Sequence, residues 1–390
     1  MREVFIVDGL RTPFCSFGGN LSSIEAPKLA SFVIKELMNK TKLPKDAVSE
    51  IIIGNVLQAG IGQAPARQAM IYADLPENIP AMTINKVCGS GLKSVMLAFD
   101  SILLGNADIV IAGGMENMSL APYYLKKARF GYRMGNGGVY DGLVHDGLWD
   151  PYGNVHMGNL AENVANKHGI TRKEQDDYAI RSYKLSKKAQ ENDFRDEIVS
   201  ITIKIKKAES IIDKDEDPFR VDFEKIPSLK TVFKRNGTIT AANASTISDG
   251  AALCLVASGS AVEKYSLSPL AKIVAHAQFS TKPALFPEAP VGAIKSLLKK
   301  TGLGIGDIDL FEINEAFATV VLVAQKELEI DLDKININGG AISIGHPIGA
   351  SGGRLVLTLA KQLKKRNKKY GIATLCIGGG EAVAMLLESL

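Results

Sequence analysis

The sequence contains the same series of segments twice. The first series is EIIIGN (50–55), NKVCGSG (85–91) and IVIAGGME (109–116), and the second is LFEINE (310–315), NGGAISIGHPIGASGG (338–353) and TLCIGGGE (374–381). Each series runs from a strand and Asn, through a glycine-rich turn and a helix, to a strand that ends in Gly-Gly and Glu. The repeat predicts one duplicated βα unit with two related sheets packed together. Chance similarity among glycine-rich α/β loops is the alternative.

Short β-branched runs alternate with helical stretches along the chain, and this alternation is typical of α/β proteins in which helices cover buried strands. The clearest helix is predicted from Leu92 to Leu103, where apolar residues recur at helical spacing. Gly105 is suited to end it. The sequence therefore predicts the α/β fold class.

A segment from about residue 119 to residue 248 interrupts the repeat. It contains a stretch rich in Gly, Tyr and charge, a polar helix predicted over 171–192 and an alternating strand predicted over 197–207. We predict an inserted loop domain of residues 119–248, placed over the loops of the first half, because functional insertions in α/β folds usually lie there. Residues 1–118 and 249–267 would form the N-terminal domain, and residues 268–390 the C-terminal domain.

Composition argues against several kinds of protein and site. The 46 basic and 42 acidic residues give a net charge of +4, so nucleic-acid binding is not indicated. No apolar run reaches the length of a membrane span, and the start of the chain lacks the pattern of a signal or transit peptide, so we expect a cytoplasmic protein without membrane partners. Neither a zinc site nor a disulfide framework is indicated by the widely separated cysteines, Cys15, Cys88, Cys254 and Cys376.

Three glycine-rich segments each contain a reactive side chain. Cys88 precedes the predicted helix, where the helix dipole and unpaired N–H groups favour a thiolate. His346 lies in a loop whose glycines allow close approach of a ligand, and Cys376 ends an apolar strand beside three glycines whose N–H groups could face an oxyanion. Alone, Cys376 is explained as a core residue and His346 as a turn residue. Together the three supply a nucleophile, a base and a second thiol for acid/base work.

With these segments in order, the chain resembles the thiolase family, of the acetyl-CoA acetyltransferase (acetoacetyl-CoA thiolase) type, over nearly its whole length. The matching segments are GNVLQAG (54–60), NKVCGSGLKSV (85–95), AGGMENMS (112–119), NAS (243–245), SDGAA (248–252), INEAFA (313–318), NINGGAISIGHPIGASGGR (336–354) and CIGGG (376–380). The resemblance implies thiolase-like duplicated βα domains that form a layered α-β-α-β-α core with an inserted loop domain.

The resemblance also implies a catalytic role for five residues. Cys88 would attack an acyl-CoA thioester and carry the acyl group, with His346 taking its proton and the N–H groups of Cys88 and Gly378 holding the oxyanion. Cys376 would remove an α-proton from a second acetyl-CoA, and His346 with a water held by Asn314 would stabilise the enolate. A helix cap is the alternative role for Asn314.

Substrate contacts are implied at further positions. Ser245 would meet the pantetheine arm of CoA, His156 and Met157 would line a short-chain acyl pocket, and Arg220 would meet the nucleotide end of CoA. A surface histidine and a solvated charged loop are the alternatives for His156 and Arg220. The implied partners are CoA, acetyl-CoA and acetoacetyl-CoA as substrates, with no tightly bound cofactor and no metal. A homodimer or homotetramer is implied as well.

The chain departs from the family pattern in two places. In Pro283 to Pro290, Phe286 replaces the usual methionine of a loop that walls the acyl pocket, which leaves the chain-length preference open. After CIGGG, Glu381 and Ala382 replace the usual Gln and Gly.

Three other functions are alternatives to an acetyltransferase. The first is a degradative 3-ketoacyl-CoA thiolase of broader chain length. A decarboxylating ketoacyl synthase has no need for the thiol of Cys376, and a non-catalytic CoA-binding scaffold has no need for the three reactive side chains.

Overall fold

The computed structural model describes residues 2–205 and 208–390. Three residues lie outside the described ranges. They are Met1 of the predicted N-terminal domain, and Lys206 and Lys207 of the predicted inserted domain, which end the strand predicted over 197–207.

The elements follow the chain in three groups. The first half contains β1 (Val4–Arg11), β2 (Cys15–Ser16), α1 (Ala26–Thr41), β3 (Glu50–Gly54), α2 (Pro65–Tyr72), β4 (Ala81–Ile84), α3 (Ser90–Leu103) and β5 (Ile109–Asn117). The insert contains β6 (Tyr123–Leu125), β7 (Val139–Asp141), β8 (Trp149–Asp150), β9 (Val155–His156), α4 (Met157–Lys167), α5 (Arg172–Ala189), β10 (Ile201–Ile205) and β11 (Ala208–Ile212). The remainder contains β12 (Ser248–Ser258), α6 (Gly259–Lys264), β13 (Ala271–Ser280), α7 (Ala289–Thr301), β14 (Leu310–Ile313), α8 (Ala318–Leu328), α9 (Ala341–Ile344), α10 (Ser351–Lys365), β15 (Tyr370–Ile377) and β16 (Glu381–Ser389).

Among the described residues, the main sheet has ten strands, and their order shows the duplication. The order is β4-β3-β5-β12-β1-β13-β16-β15-β14, with β2 paired to β12. Read outward from the junction of β1 and β13, the strands correspond in pairs: β12 to β16, β5 to β15 and β3 to β14. The predicted duplication of a βα unit is thus confirmed.

The two halves of the sheet are continuous, which the sequence did not indicate. They are joined by two residue pairs, Phe5 with Lys272 and Ile6 with Ala271. Strands β1 and β13 occupy equivalent edges of the two copies, and pairing them satisfies backbone groups that an edge would leave open.

Alternating side chains along the strands divide the core into layers. In β3, Ile51 and Ile53 face a cluster with α1 and α2, whereas Ile52 faces a central cluster with α3 and α10. In β15, Leu375 faces the same central cluster, and Cys376 faces an outer cluster with α7 and α8. The chain therefore has the α-β-α-β-α layering.

Backbone contact brings the N-terminal ends of the two central helices together. A Cβ atom on Gly91 of α3 would lie 2.7 Å from the nitrogen of Gly353, and one on Gly352 of α10 would lie 2.1 Å from the nitrogen of Leu92. Larger residues cannot occupy these positions without moving a backbone. The loops before α3 and α10 consequently lie side by side.

The predicted helices are confirmed, but the placement of the insert is wrong in part. Helix α3 covers the predicted stretch, Gly105 has φ +81°, and α5 begins after the capping box of Thr171 and Glu174. The insert spans both halves instead of covering the first alone: the hairpin β10–β11 packs on the first half, whereas α4 and α5 pack against α8. The apolar faces of α4 and α5 are buried there. The domain boundaries stay a prediction.

No helix in the described part of the chain is apolar over a stretch long enough to cross a bilayer.

Candidate active site

A cavity of about 580 Å³ lies beside the loops that precede the central helices. Cys88, His346, Cys376 and Gly378 all line it. Cys88 comes from the loop before α3, His346 from the loop before α10, and the other two from the end of β15. The structure therefore brings together reactive side chains from both copies of the repeat.

A strained turn presents Cys88. Val87 has φ +47°, a left-handed conformation that is unusual for a β-branched residue. After the cysteine, a Cβ on Gly89 would lie 2.4 Å from Cδ1 of Ile377, so a larger residue there would displace that side chain. The turn directs the Cys88 sulfur toward its own N–H group and that of Gly378.

Cys88 is a thiol at rest, so the sequence prediction of a favoured thiolate is wrong. Burial raises the pKa of Cys88 to about 11, and the negative charge of Glu116 raises it further, whereas the N–H groups of Gly378 and Cys88 lower it. Burial destabilises the thiolate more than hydrogen bonds from these N–H groups stabilise it. Cys88 therefore needs a base.

His346 is placed to act as that base, because its neutral imidazole lines the same cavity as Cys88. Its Nδ1 lies 2.6 Å from Oγ of Ser351, which itself donates to the carbonyl of Pro347 at 3.0 Å. This network assigns the proton to Nδ1 and leaves Nε2 as an acceptor. Burial and the positive charge of Arg354 lower the pKa of His346 to about 3.

Asn314 lies beside His346, with its Nδ2 at 3.3 Å from Nε2. It is fully buried, and its Oδ1 has no hydrogen-bond partner among the described residues. An unsatisfied buried oxygen of this kind suits an ordered water. Helix α8 begins later, with Phe317 at its N-cap, so Asn314 does not cap it.

Cys376 is also protonated at rest. Burial raises its pKa well above the usual value, and the nearby Cys88 raises it further. The turn that follows has φ +92° at Gly379 and +87° at Gly380, conformations that glycine adopts without strain. This turn places the N–H group of Gly378 against the Cys88 sulfur.

The residues predicted to contact substrate are spread along the cavity. Ser245, His156, Met157, Phe286 and Arg220 all line it. His156 stacks on Phe233 with ring centroids 4.7 Å apart, burial lowers its pKa, and Phe286 meets Phe317 edge to face at 6.3 Å. Arg220 is more than half exposed at the mouth, where it donates to Ser16 Oγ at 2.7 Å and pairs with Glu216 at 3.3 Å.

The sequence reasoning missed the groups that hold the catalytic loops. Glu116 accepts hydrogen bonds from the N–H groups of Val56 and Leu57 and from that of Gly349, three residues after His346. Burial raises the pKa of Glu116 to about 7. The signal was present, because Glu116 ends the repeated segment IVIAGGME, but only the fold shows what it contacts.

In the described residues, no group of three or more His, Cys, Asp or Glu side chains is arranged to bind a metal ion.

Comparison with known proteins gives consistent matches over the whole chain. The family model described as "Thiolase, N-terminal domain" matches residues 4–260, and "Thiolase, C-terminal domain" matches residues 267–389. The mitochondrial acetyl-CoA acetyltransferase of Bos taurus is 50% identical over 395 residues, which cover 100% of this chain and 92% of that protein.

Two solved structures share the fold. The Acat5 thiolase of Ascaris suum, in complex with coenzyme A, has a TM-score of 0.94 and 41% identity and matches over 100% of both chains. Human mitochondrial 3-ketoacyl-CoA thiolase has a TM-score of 0.96 and 39% identity, with 100% of this chain and 99% of that chain covered.

Proposed function

The chain belongs to the thiolase family of acyltransferases, and on that premise we propose that it is an acetyl-CoA C-acetyltransferase. The reaction is the reversible Claisen condensation of two acetyl-CoA to acetoacetyl-CoA and CoA, through an acyl-cysteine. The observation that carries the proposal is the shared cavity of Cys88, His346 and Cys376. A carbon acid next to a thioester is very weak, so its reaction needs a base, an oxyanion site and an electrophile fixed together.

The first stage transfers an acetyl group to Cys88. His346 accepts the Cys88 proton at Nε2 as the sulfur attacks the thioester carbonyl, and the N–H groups of Cys88 and Gly378 stabilise the oxyanion. The bond from carbon to CoA sulfur then breaks, and the CoA thiolate takes the proton of Cys376. Acetyl-Cys88, an imidazolium and a Cys376 thiolate remain.

The second stage forms the carbon–carbon bond. The Cys376 thiolate takes an α-proton from a new acetyl-CoA, while the imidazolium of His346 and a water held by Asn314 stabilise the enolate. The enolate carbon attacks acetyl-Cys88, and the departing Cys88 sulfur takes its proton back from His346. All three groups regain their resting protonation, and thiolysis is the same path reversed.

Two cysteine variants test the separate roles proposed for Cys88 and Cys376. With acetyl-CoA alone, Cys88→Ala should form no acetyl-enzyme by mass spectrometry and should catalyse neither condensation nor thiolysis. Cys376→Ala should still become acetylated, more slowly, but should lose exchange of the acetyl methyl protons with D2O. Cys254→Ala, a buried thiol outside the cavity, is the matched control and should keep both activities. Condensation retained by Cys88→Ala would refute the proposal.

Short-chain specificity is proposed from the aromatic wall of the cavity. Phe286, Phe317 and Phe233 form a series of edge-to-face contacts, and His156 stacks on the last of them. Thiolysis rates on 3-ketoacyl-CoA substrates of rising chain length should fall beyond the four-carbon substrate. A preference for long chains would favour the degradative 3-ketoacyl-CoA thiolase instead.

Other properties remain predictions. We propose CoA and its acyl thioesters as the small-molecule partners, with Arg220 and Ser245 on the CoA side of the cavity and no tightly bound cofactor. The homodimer or homotetramer, the absence of nucleic-acid partners and the cytoplasmic location are expectations from the sequence. The Bos taurus relative is named as mitochondrial.

A further inference from the structure

An acidic segment, Asp215 to Asp217, is attached firmly to the first half of the chain. Asp215 accepts two hydrogen bonds from the guanidinium of Arg11, at 2.6 and 2.9 Å, and one from the N–H of Phe14 at 2.7 Å. Arg11 and Asp215 are both buried, and bidentate pairs of this kind fix geometry as well as charge. The position of the segment is therefore set by β1 and the residues after it.

Glu216 adds two further attachments to the same region. Its carboxylate accepts the N–H of Ser16 at 3.0 Å and the N–H of Asn20 at 2.9 Å. With residues 215 and 216 held in this way, the place of the next residue does not depend on its own side-chain contacts.

Asp217 extends from this fixed segment toward the cavity, which it lines. Its Oδ1 accepts from the Ser16 hydroxyl at 2.5 Å, and its Oδ2 accepts from the Thr246 hydroxyl at 2.5 Å. The carbonyl of Thr246 in turn accepts the backbone N–H of His346 at 3.1 Å. A continuous set of hydrogen bonds thus leads from the acidic segment to the backbone of the catalytic histidine.

We propose that Asp217, acting through Thr246, is a positioning residue for His346. Gly345, directly before His346, has φ +101°, a conformation that glycine adopts without strain, so the backbone there is fixed by its hydrogen bonds and packing. Ser351 orients the imidazole ring, but the backbone at His346 is held by Thr246. Proton transfer from Cys88 depends on small changes of distance, so a loosened Thr246 should slow the chemistry more than it weakens binding. This inference rests on the proposed function, in which His346 is the base.

Single variants separate chemistry from binding. In thiolysis of acetoacetyl-CoA by CoA, Asp217→Ala and Thr246→Val should each lower kcat about tenfold, with KM values within about threefold of wild type. Asp217→Asn keeps one oxygen to accept from Thr246 and should restore much of kcat. The matched control is Asp222→Ala, an exposed acid five residues after Asp217 that pairs with Lys225, and it should leave kcat unchanged.

A double variant tests whether the two residues act as one unit. Asp217→Ala with Thr246→Val should be no slower than either single variant, because both break the same connection. The inference would be overturned if the double variant lost kcat by the product of the two single losses, or if each single variant kept kcat within twofold of wild type. If Asp217→Ala fails to fold, the kcat of Thr246→Val alone decides. Wild-type enzyme assayed in parallel keeps the two proposals apart, because a wild type without acetyl transfer contradicts the proposed function itself.

Discussion

Iodoacetamide should alkylate Cys88 at a rate that is still rising at pH 9.5. Burial and the charge of Glu116 raise the pKa of this thiol to about 11. At pH 8 about one molecule in 1,000 then carries a thiolate, and this fraction rises about tenfold for each pH unit. An ordinary exposed cysteine, with a pKa of about 8.5, would instead approach its plateau near pH 9.5.

The assay follows the pseudo-first-order rate between pH 6 and about 9.5, with the modified residue located by mass spectrometry and the fold checked by circular dichroism. A Cys376→Ser background removes the other thiol of the cavity, and Cys15 and Cys254 are buried with raised pKa values. Glu116→Gln should move the profile to lower pH because it removes a negative charge near the sulfur. A plateau with a midpoint below about pH 9 in the folded enzyme would show a resting thiolate and refute the reasoning.

Three further substitutions test the supports of the site and fold. Ser351→Ala removes the hydrogen-bond partner of His346 Nδ1, which lies at 2.6 Å. The lost hydrogen bond contributes about 1 kcal/mol to holding the ring, so kcat should fall about five- to tenfold in steady-state assays, with an unchanged circular dichroism spectrum. Gly349→Ala would put a Cβ 2.4 Å from the carbonyl oxygen of Met115 and should destabilise the fold by about 3 kcal/mol, seen as a lower urea midpoint; an unchanged midpoint would contradict the packing. Arg11→Met leaves Asp215 and Glu197 buried without their cation. The free energy of unfolding should fall by about 3–5 kcal/mol, measured by urea unfolding, whereas an unchanged urea midpoint would show that water reaches the two carboxylates.

The sequence was sufficient to predict three reactive side chains that meet in one cavity. Cys88 and His346 are next to glycines and Cys376 lies two residues before three of them, and this local feature can be read without a fold. The helix after Cys88 and the duplicated strands were also predictable, because their apolar spacing is a property of short segments.

Other features depend on contacts between distant parts of the chain. The protonated state of Cys88 follows from burial, which no neighbour in sequence reveals, and so the helix dipole alone gave the wrong answer. The link from Asp217 to Thr246 and His346 joins three segments that are distant in sequence, and no motif in any of them indicates that they are hydrogen-bonded. The junction of β1 and β13 likewise involves only two residue pairs, which leave no pattern in the sequence.

The contact between α3 and α10 has a consequence for how the two copies of the repeat depend on each other. In the proposed reaction, one copy contributes the sulfur that carries the acyl group and the other contributes the imidazole, and glycine backbones in direct contact set the spacing between the two loops. Neither copy can perform the reaction by itself, however well it folds. A larger residue at Gly91 or Gly352 would therefore displace groups from both copies at once.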